Sequence, residues 1–191
     1  MLNRVGENLF EDIKAIYRND PAANGLEVLI YPCLRAIVVH RYVSHPLYNI
    51  GIPFIPRLIS EFMKFITLIE IHPGAKIGRG FFADHGHGIV IGQTAEIGKN
   101  CVLFHNVTLG GTGKHAGKRH PTIGNNVLIG TAATLLGPIN VGNNVKIGAE
   151  TFIINHDVPD NATVVGTPGR IVRLEGKKVD LPLQPSKRKQ E

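Results

Sequence analysis

The 191-residue sequence predicts a mainly β protein: a parallel β-helix of about five coils, set behind an N-terminal α-helical domain (residues 1–65) and followed by an irregular C-terminal tail (173–191). Three observations predict it. From Ile71 onward an aliphatic residue followed by glycine or another short residue returns every six positions, as in "IGQTAEIGKNCV" and "IGNNVLIGTAATLLGPINVGNNVKIG". Upstream of that run the apolar residues are spaced for helices, and beyond Ile171 every period is lost.

The N-terminal stretch "VGENLFEDIKAIYRND" puts Val5, Leu9, Ile13, Ile16 and Tyr17 on one helical stripe. A second apolar stripe runs through "LEVLIYPCLRAIVVHRYVSHPLYN", with a proline near its start, and a third through "PFIPRLISEFMKFITLIE".

A six-residue period fits neither an amphipathic helix nor a two-residue alternation. It suits a prism whose faces are short strands, with the lead aliphatic and the small residue four places on pointing inward. Glycine or asparagine then turns the corners that need unusual backbone angles. The leads are Ile71, Ile77, Ala83, Ile91, Ile97, Leu103, Leu109, Ile123, Ile129, Leu135, Val141, Ile147, Ile153, Pro159 and Val165. Their phase slips twice, by two residues before Ile91 and by eight inside the glycine-rich, basic stretch "VTLGGTGKHAGKRHPTIG". The β-helix is therefore placed at 66–172 with an excursion at 111–122. This pattern resembles the hexapeptide repeat of left-handed parallel β-helices, an exception to the right-handed crossover rule. Such prisms present flat sides that pack into trimers, so a homotrimer with sites between subunits is expected.

Composition narrows the function classes. The net charge of +6 and pI near 9.5 favour an anionic partner, but with no tryptophan and 6% aromatic residues stacking on nucleic-acid bases is poorly supported. No run of about 18 apolar residues and no signal-peptide pattern is present, so the expectation is a cytoplasmic protein away from membranes. Cys33 and Cys101 are too few for a disulfide framework and read as free thiols.

The excursion is not a nucleotide loop. A Walker pattern needs glycine where Thr108 stands and serine or threonine where His115 stands. The histidines carry more information. In "FFADHGHGIVIGQT", Asp84, His85 and His87 sit where the phase slips, and counting coils places His105 directly one coil above His85. Stacked strands lie about 4.8 Å apart, so the two rings share one outer face, with Asp84 beside them and Glu70 expected one coil below on the same side.

The segments "EIHPGAKIGRGFFADHGHGIVIGQTAEIG", "VTLGGTGKHAGKRHPTIG", "VVGTPGRIV" and "RNDPAA" together resemble the serine O-acetyltransferase family over residues 15 to 172. The resemblance implies acetyl transfer from acetyl-CoA to the L-serine hydroxyl, giving O-acetyl-L-serine ahead of cysteine synthesis. It implies that His85 is the general base and that Glu70 orients it. It implies that Asp84 and Asp20 surround the substrate ammonium, and that Arg119 and His120 hold its carboxylate and help position the hydroxyl. The chemistry agrees: a serine hydroxyl attacking a thioester needs a base that titrates near neutrality, and a zwitterion needs carboxylates at one end and a cation at the other. A backbone amide near Gly110 and Gly111 is the candidate oxyanion donor. Acetyl-CoA is the expected cosubstrate, with its arm passing Ala132 and Ala149 and its phosphates near Lys114, Lys118 or Lys146; no metal is expected. Cys101 falls at an inward position, so direct transfer is favoured over an acyl-enzyme.

The sequence departs from the family pattern at Gln93, where glutamate is usual, and at His105, where glutamine is usual. The helical region is shorter than in larger members, which leaves a dimer of trimers open. The chain ends Lys-Gln-Glu, without the terminal isoleucine through which those members engage O-acetylserine sulfhydrylase, so that complex is not expected. Two alternatives stand beside this reading: acetyl transfer to another hydroxyl (homoserine, a sugar or an antibiotic), and a metal-dependent lyase of the γ-carbonic anhydrase type, a trimeric prism with histidines shared across subunits, in which three zinc ligands come from among His85, His87, His105 and His120.

Overall fold

The computed structural model describes residues 2–113 and 116–187, so Lys114 lies outside the described residues. Helix α1 (Leu2–Asn19) is followed by a 3-10 turn (Gly25–Ile30), α2 (Pro32–Val39), a π-helical turn (His40–Ser44), α3 (His45–Asn49) and α4 (Ile55–Thr67). Pro32 and Pro46 each stand at the start of a helix, which explains why the second predicted stripe is broken into short pieces.

From Ile69 the chain winds as a parallel β-solenoid of about five turns with three faces. The first face stacks Ile69–Ile71, Ile89–Ile91, Thr108–Gly110, Thr134–Leu136 and Phe152–Ile154. The second stacks Lys76–Ile77, Glu96–Ile97, Thr122–Ile123 and Asn140–Val141, and the third runs from Phe82–Ala83 through Val102–Leu103, Leu128–Ile129 and Lys146–Ile147 to Ala162–Val165. The lead residues fill the interior: Ala83, Ile91, Leu103, Leu109, Ile129, Leu135 and Ile147 are buried, as are Ala95, Cys101, Val107, Ala133 and Val145 four places after a lead. Both anticipated slips are present, since Ile69 lies opposite Ile89 and Thr108 opposite Thr134, whereas Thr134 lies opposite Phe152 one regular coil on.

A third slip was not anticipated. Ile147 pairs with Val164, and Val141 bridges to Val158, so the last coil is one residue short and Pro159 and Val165 are not leads. The backbone N–H of the residue opposite Val141 must donate to Asn140, which Val158 does at 2.9 Å and a proline cannot.

The corner between the second and third faces is a ladder of left-handed asparagines. Asn100, Asn126, Asn144 and Asn161 have φ between 56° and 57°, and each amide nitrogen donates to the next side-chain oxygen at 3.3, 3.1 and 2.9 Å. Asparagine tolerates this backbone and closes the stack with its own side chain.

The tail is not an irregular arm over its described part. Arg170–Leu174 and Lys177–Pro182 form an antiparallel hairpin on the third face, and Gln184–Pro185 pairs with His156–Asp157. The turn is Glu175-Gly176, both at positive φ, which is the two-residue geometry that matches strand twist.

Asp12 fastens the helices to the solenoid. It is 2% exposed, pairs with Arg41 at 3.1 Å, and accepts the backbone N–H groups of Gly80 and Phe81 at 2.8 and 3.1 Å. Arg41 continues the clamp to the carbonyls of Ile77 and Gly78 at 2.6 and 2.9 Å.

Candidate active site

Asp84 and His85 leave the third face where the chain turns toward the first. The backbone bond from Asp84 N to Leu103 O at 2.8 Å, with Ala83 paired to Leu103, carries His85 beneath His105 as the coil count requires. Their ring centroids are 5.9 Å apart, edge to face, and His87 stacks on His105 at 5.2 Å. His85 itself has φ of 56°, a strained conformation for a residue with a β-carbon, and its side chain is 71% exposed. Its Nε2 lies 3.8 Å from Asp84 Oδ1. Further up the same edge, the bond from Ala132 N to His105 O brings in Ala132, itself at φ 58°, and Ala149 stands one coil above Thr131, beside Gly130. Small side chains therefore rise above the histidines.

Asp20, just past the end of α1, accepts the Tyr31 hydroxyl and the Ala22 backbone N–H, each at 2.8 Å. The Asp20 carboxylate helps push the Tyr31 phenol up to about 12. Two residues on, Cys33 packs against the Ala83 backbone, and burial, with Asp84 adding to it, pushes its thiol up to about 12. Asp20 and Asp84 thus belong to the same side of the molecule. Cys101 is fully buried, and burial raises it to about 11, so neither thiol is an available nucleophile.

Arg119 and His120 occupy a different edge, between the first and second faces. Thr94 clasps both: its hydroxyl oxygen accepts the Arg119 and His120 backbone N–H groups at 3.0 and 3.2 Å and lies 2.8 Å from His120 Nδ1. Thr94 N–H also donates to that Nδ1 at 3.2 Å. Because both backbone donors use the oxygen lone pairs, the Thr94 hydroxyl proton points at Nδ1, which must be an acceptor, and the His120 proton resides on Nε2. Burial, assisted by Arg119 and Lys118, lowers the ring to about 4, so His120 is a neutral Nε2–H donor near neutral pH. Gly92 makes its seat, since a β-carbon there would overlap the imidazole. His72 beneath it is likewise lowered to about 4, by burial and then by Arg57 and Arg119.

Glu70 lies on the first face, opposite Val90. Its carboxylate is held by Arg57 at 3.0 Å and Lys64 at 2.6 Å, both from α4. Burial alone would raise Glu70, but these two cations hold it below the usual carboxylate range. Gly110 and Gly111 open the excursion on the Arg119 edge, with the Arg119 backbone oxygen close enough to Gly111 to crowd a β-carbon. Lys118 donates to Thr94 O at 2.5 Å and lies 3.8 Å from Glu96; Lys146 is exposed on the third face. Sequence reasoning missed Gly92, Thr94 and Tyr48, which have no motif signal of their own and matter only because the excursion folds back onto them.

No family model matches the chain. A curated serine acetyltransferase of Bacillus subtilis (strain 168) is 55% identical over 173 residues, covering 90% of this chain and 79% of that protein. The chain belongs to the serine acetyltransferase family. Two solved members agree in three dimensions: the Neisseria gonorrhoeae serine acetyltransferase in complex with serine (39% identity, TM-score 0.84, covering 90% of this chain and 70% of that one) and the Brucella abortus strain S19 enzyme in complex with coenzyme A (41% identity, TM-score 0.83, 87% and 67%). As a serine acetyltransferase family member the chain is an acetyl-CoA-dependent acyltransferase. The relatives found are serine acetyltransferases, which sets aside the metal-lyase alternative; among the described residues of the single chain no three His, Cys, Asp or Glu side chains are grouped to hold a metal ion.

Proposed function

We propose that this chain transfers acetyl from acetyl-CoA to the L-serine hydroxyl, yielding O-acetyl-L-serine for cysteine synthesis, with His85 as general base and no acyl-enzyme. The observation that carries the reading is His85 itself, exposed on a strained backbone beside Asp84 and at the foot of a column of small residues. His85 takes the hydroxyl proton as the oxygen attacks the thioester carbonyl, and returns it to the departing thiolate. Asp84 lies beside the ring, and Glu70, held by Arg57 and Lys64, is the carboxylate that orients His85 and stabilises its protonated form. Asp20 and Asp84 attract the substrate ammonium, Arg119 takes its carboxylate, and His120 Nε2–H donates toward the hydroxyl or the developing oxyanion, together with an amide of Gly110 or Gly111. Ala132 and Ala149 leave room for the pantetheine arm, with Lys118 and Lys146 toward the phosphates.

Since the His85 and Arg119 groups lie on different edges of one prism, a complete site joins edges of two copies, which supports the homotrimer. The apolar face of α4 agrees: Leu58, Phe62 and Phe65 are 52%, 61% and 81% exposed in the single chain, more than an isolated protein leaves in water. No described helix is long and apolar enough to cross a membrane, and the buried free thiols suit a cytoplasmic setting. Thiol release from acetyl-CoA with L-serine, L-homoserine and sugar acceptors tests the substrate: the reading expects serine to be preferred at least about tenfold in kcat/KM, the discrimination a single misplaced methylene allows. A faster rate with any other acceptor overturns it in favour of that acceptor.

A further inference from the structure

Gln93 sits between two groups with fixed hydrogen-bonding demands. A guanidinium only donates, so Arg119 Nη2, 2.5 Å away, holds the Gln93 amide oxygen toward itself. The amide nitrogen then faces Tyr48 Oη at 2.9 Å, which accepts. Arg119 Nη1 donates to the Ala116 carbonyl at 3.3 Å, so among the described residues the hydrogen-bond partners of its guanidinium are neutral. Neighbouring cations differ. Arg57 meets Glu61 and Glu70, Lys64 meets Glu70, and Lys76 and Lys118 meet Glu96 at 3.5 and 3.8 Å.

We infer that Gln93, braced by Tyr48, is a positioning residue that aims Arg119 at the amino-acid carboxylate while leaving its positive charge uncancelled. This rests on the reading that Arg119 receives that carboxylate. Aim and charge are separate contributions. A carboxylate at position 93 would hold the guanidinium more firmly and neutralise it, whereas an aliphatic side chain would leave the charge and lose the aim. Charge therefore governs affinity for an anionic substrate group and has little to do with the thioester half of the reaction.

The test compares steady-state kinetics of the full-length protein and its Gln93→Glu, Gln93→Leu, Tyr48→Phe and Arg119→Met variants. The readouts are kcat, the KM values for L-serine and acetyl-CoA, and the inhibition constant of L-serinamide, which keeps the hydroxyl and ammonium but lacks the carboxylate. Gln93→Glu is expected to raise the L-serine KM about tenfold or more, with kcat within about twofold and the acetyl-CoA KM and serinamide constant unmoved. Tyr48→Phe is expected to raise the serine KM by roughly twofold to fivefold alone and to add nothing in the Gln93→Leu background. Arg119→Met separates the layers. Should it leave the preference for serine over serinamide intact, the carboxylate reading of Arg119 fails. Should it abolish that preference while Gln93→Glu leaves the serine KM unchanged, the reading stands and the inference about Gln93 is overturned.

Discussion

The imidazole of His120 occupies the space where a β-carbon of residue 92 would stand, so Gly92 and His120 form one lock-and-seat pair at the edge between the first and second faces. The Thr94 clasp holds the ring in that seat and keeps its Nδ1 occupied. Gly92→Ala is therefore expected to fold, to push His120 off Thr94, and to lower kcat/KM for L-serine by about a hundredfold to a thousandfold, the cost of losing one aligned donor. Kinetics alongside a thermal melt check this; an alanine variant with native kcat/KM means that the ring position is immaterial.

The Asp12 clamp predicts a stability effect far from any chemistry. Removing the carboxylate leaves a largely buried guanidinium without its counter-charge, held only by two carbonyls, and two buried backbone N–H groups without their acceptor. Asp12→Ala is expected to cost about 3–5 kcal/mol by urea unfolding, as for other broken buried pairs. A loss below about 1 kcal/mol, within the range of exposed pairs, contradicts the anchoring role.

Acid sensitivity follows from two buried imidazoles, His40 and His120, and the half-buried His72. Burial lowers His40 to about 3, helped by His45 and Arg41, and lowers His72 and His120 to about 4, all from 6.5. Between pH 6.5 and 4 the unfolded chain binds these protons and the folded one does not, so stability is full above pH 6.5 and falls as pH is lowered through that window. His40 donates from Nε2 to Ala75 O at 3.1 Å and leaves Nδ1 unpaired, so His40→Gln can keep the bond and lose the titration. The Tm difference between about pH 7 and pH 5 is expected to shrink in that variant; an unchanged difference removes His40 from the account.

The shared site predicts complementation. His85→Ala and Arg119→Ala are each expected to be nearly inactive, while co-expressed and co-purified they form mixed assemblies in which about a quarter of the sites draw both residues from intact copies, by random pairing across an interface. Mixed preparations as inactive as the parents place the whole site within one chain.

Much of this arrangement is legible in the residues themselves. The six-residue period fixed coil register closely enough to place His105 over His85, because parallel stacking transmits position without change from one coil to the next. The period could not show the last slip, which depends on Pro159 lacking the N–H that Val158 donates to Asn140. Nor did losing the period mean losing structure: the Glu175-Gly176 turn needs two residues, and "LEGK" had carried its signal. The period also gave no sign of the cations that meet Glu70, because coil counting weighs neighbours on the solenoid and not those docked from outside. The spacing of Arg57, Glu61 and Lys64 on one stripe of α4 is what brings cations over Glu70.

The central claim is that His85 draws the proton from the L-serine hydroxyl, and the most direct measurement is thiol release from acetyl-CoA by His85→Ala at saturating L-serine, with native folding confirmed by thermal melt. The account expects kcat to fall by about a hundredfold to ten-thousandfold, the range for losing a general base, with a much smaller change in the KM for acetyl-CoA. A variant that keeps the wild-type kcat contradicts it.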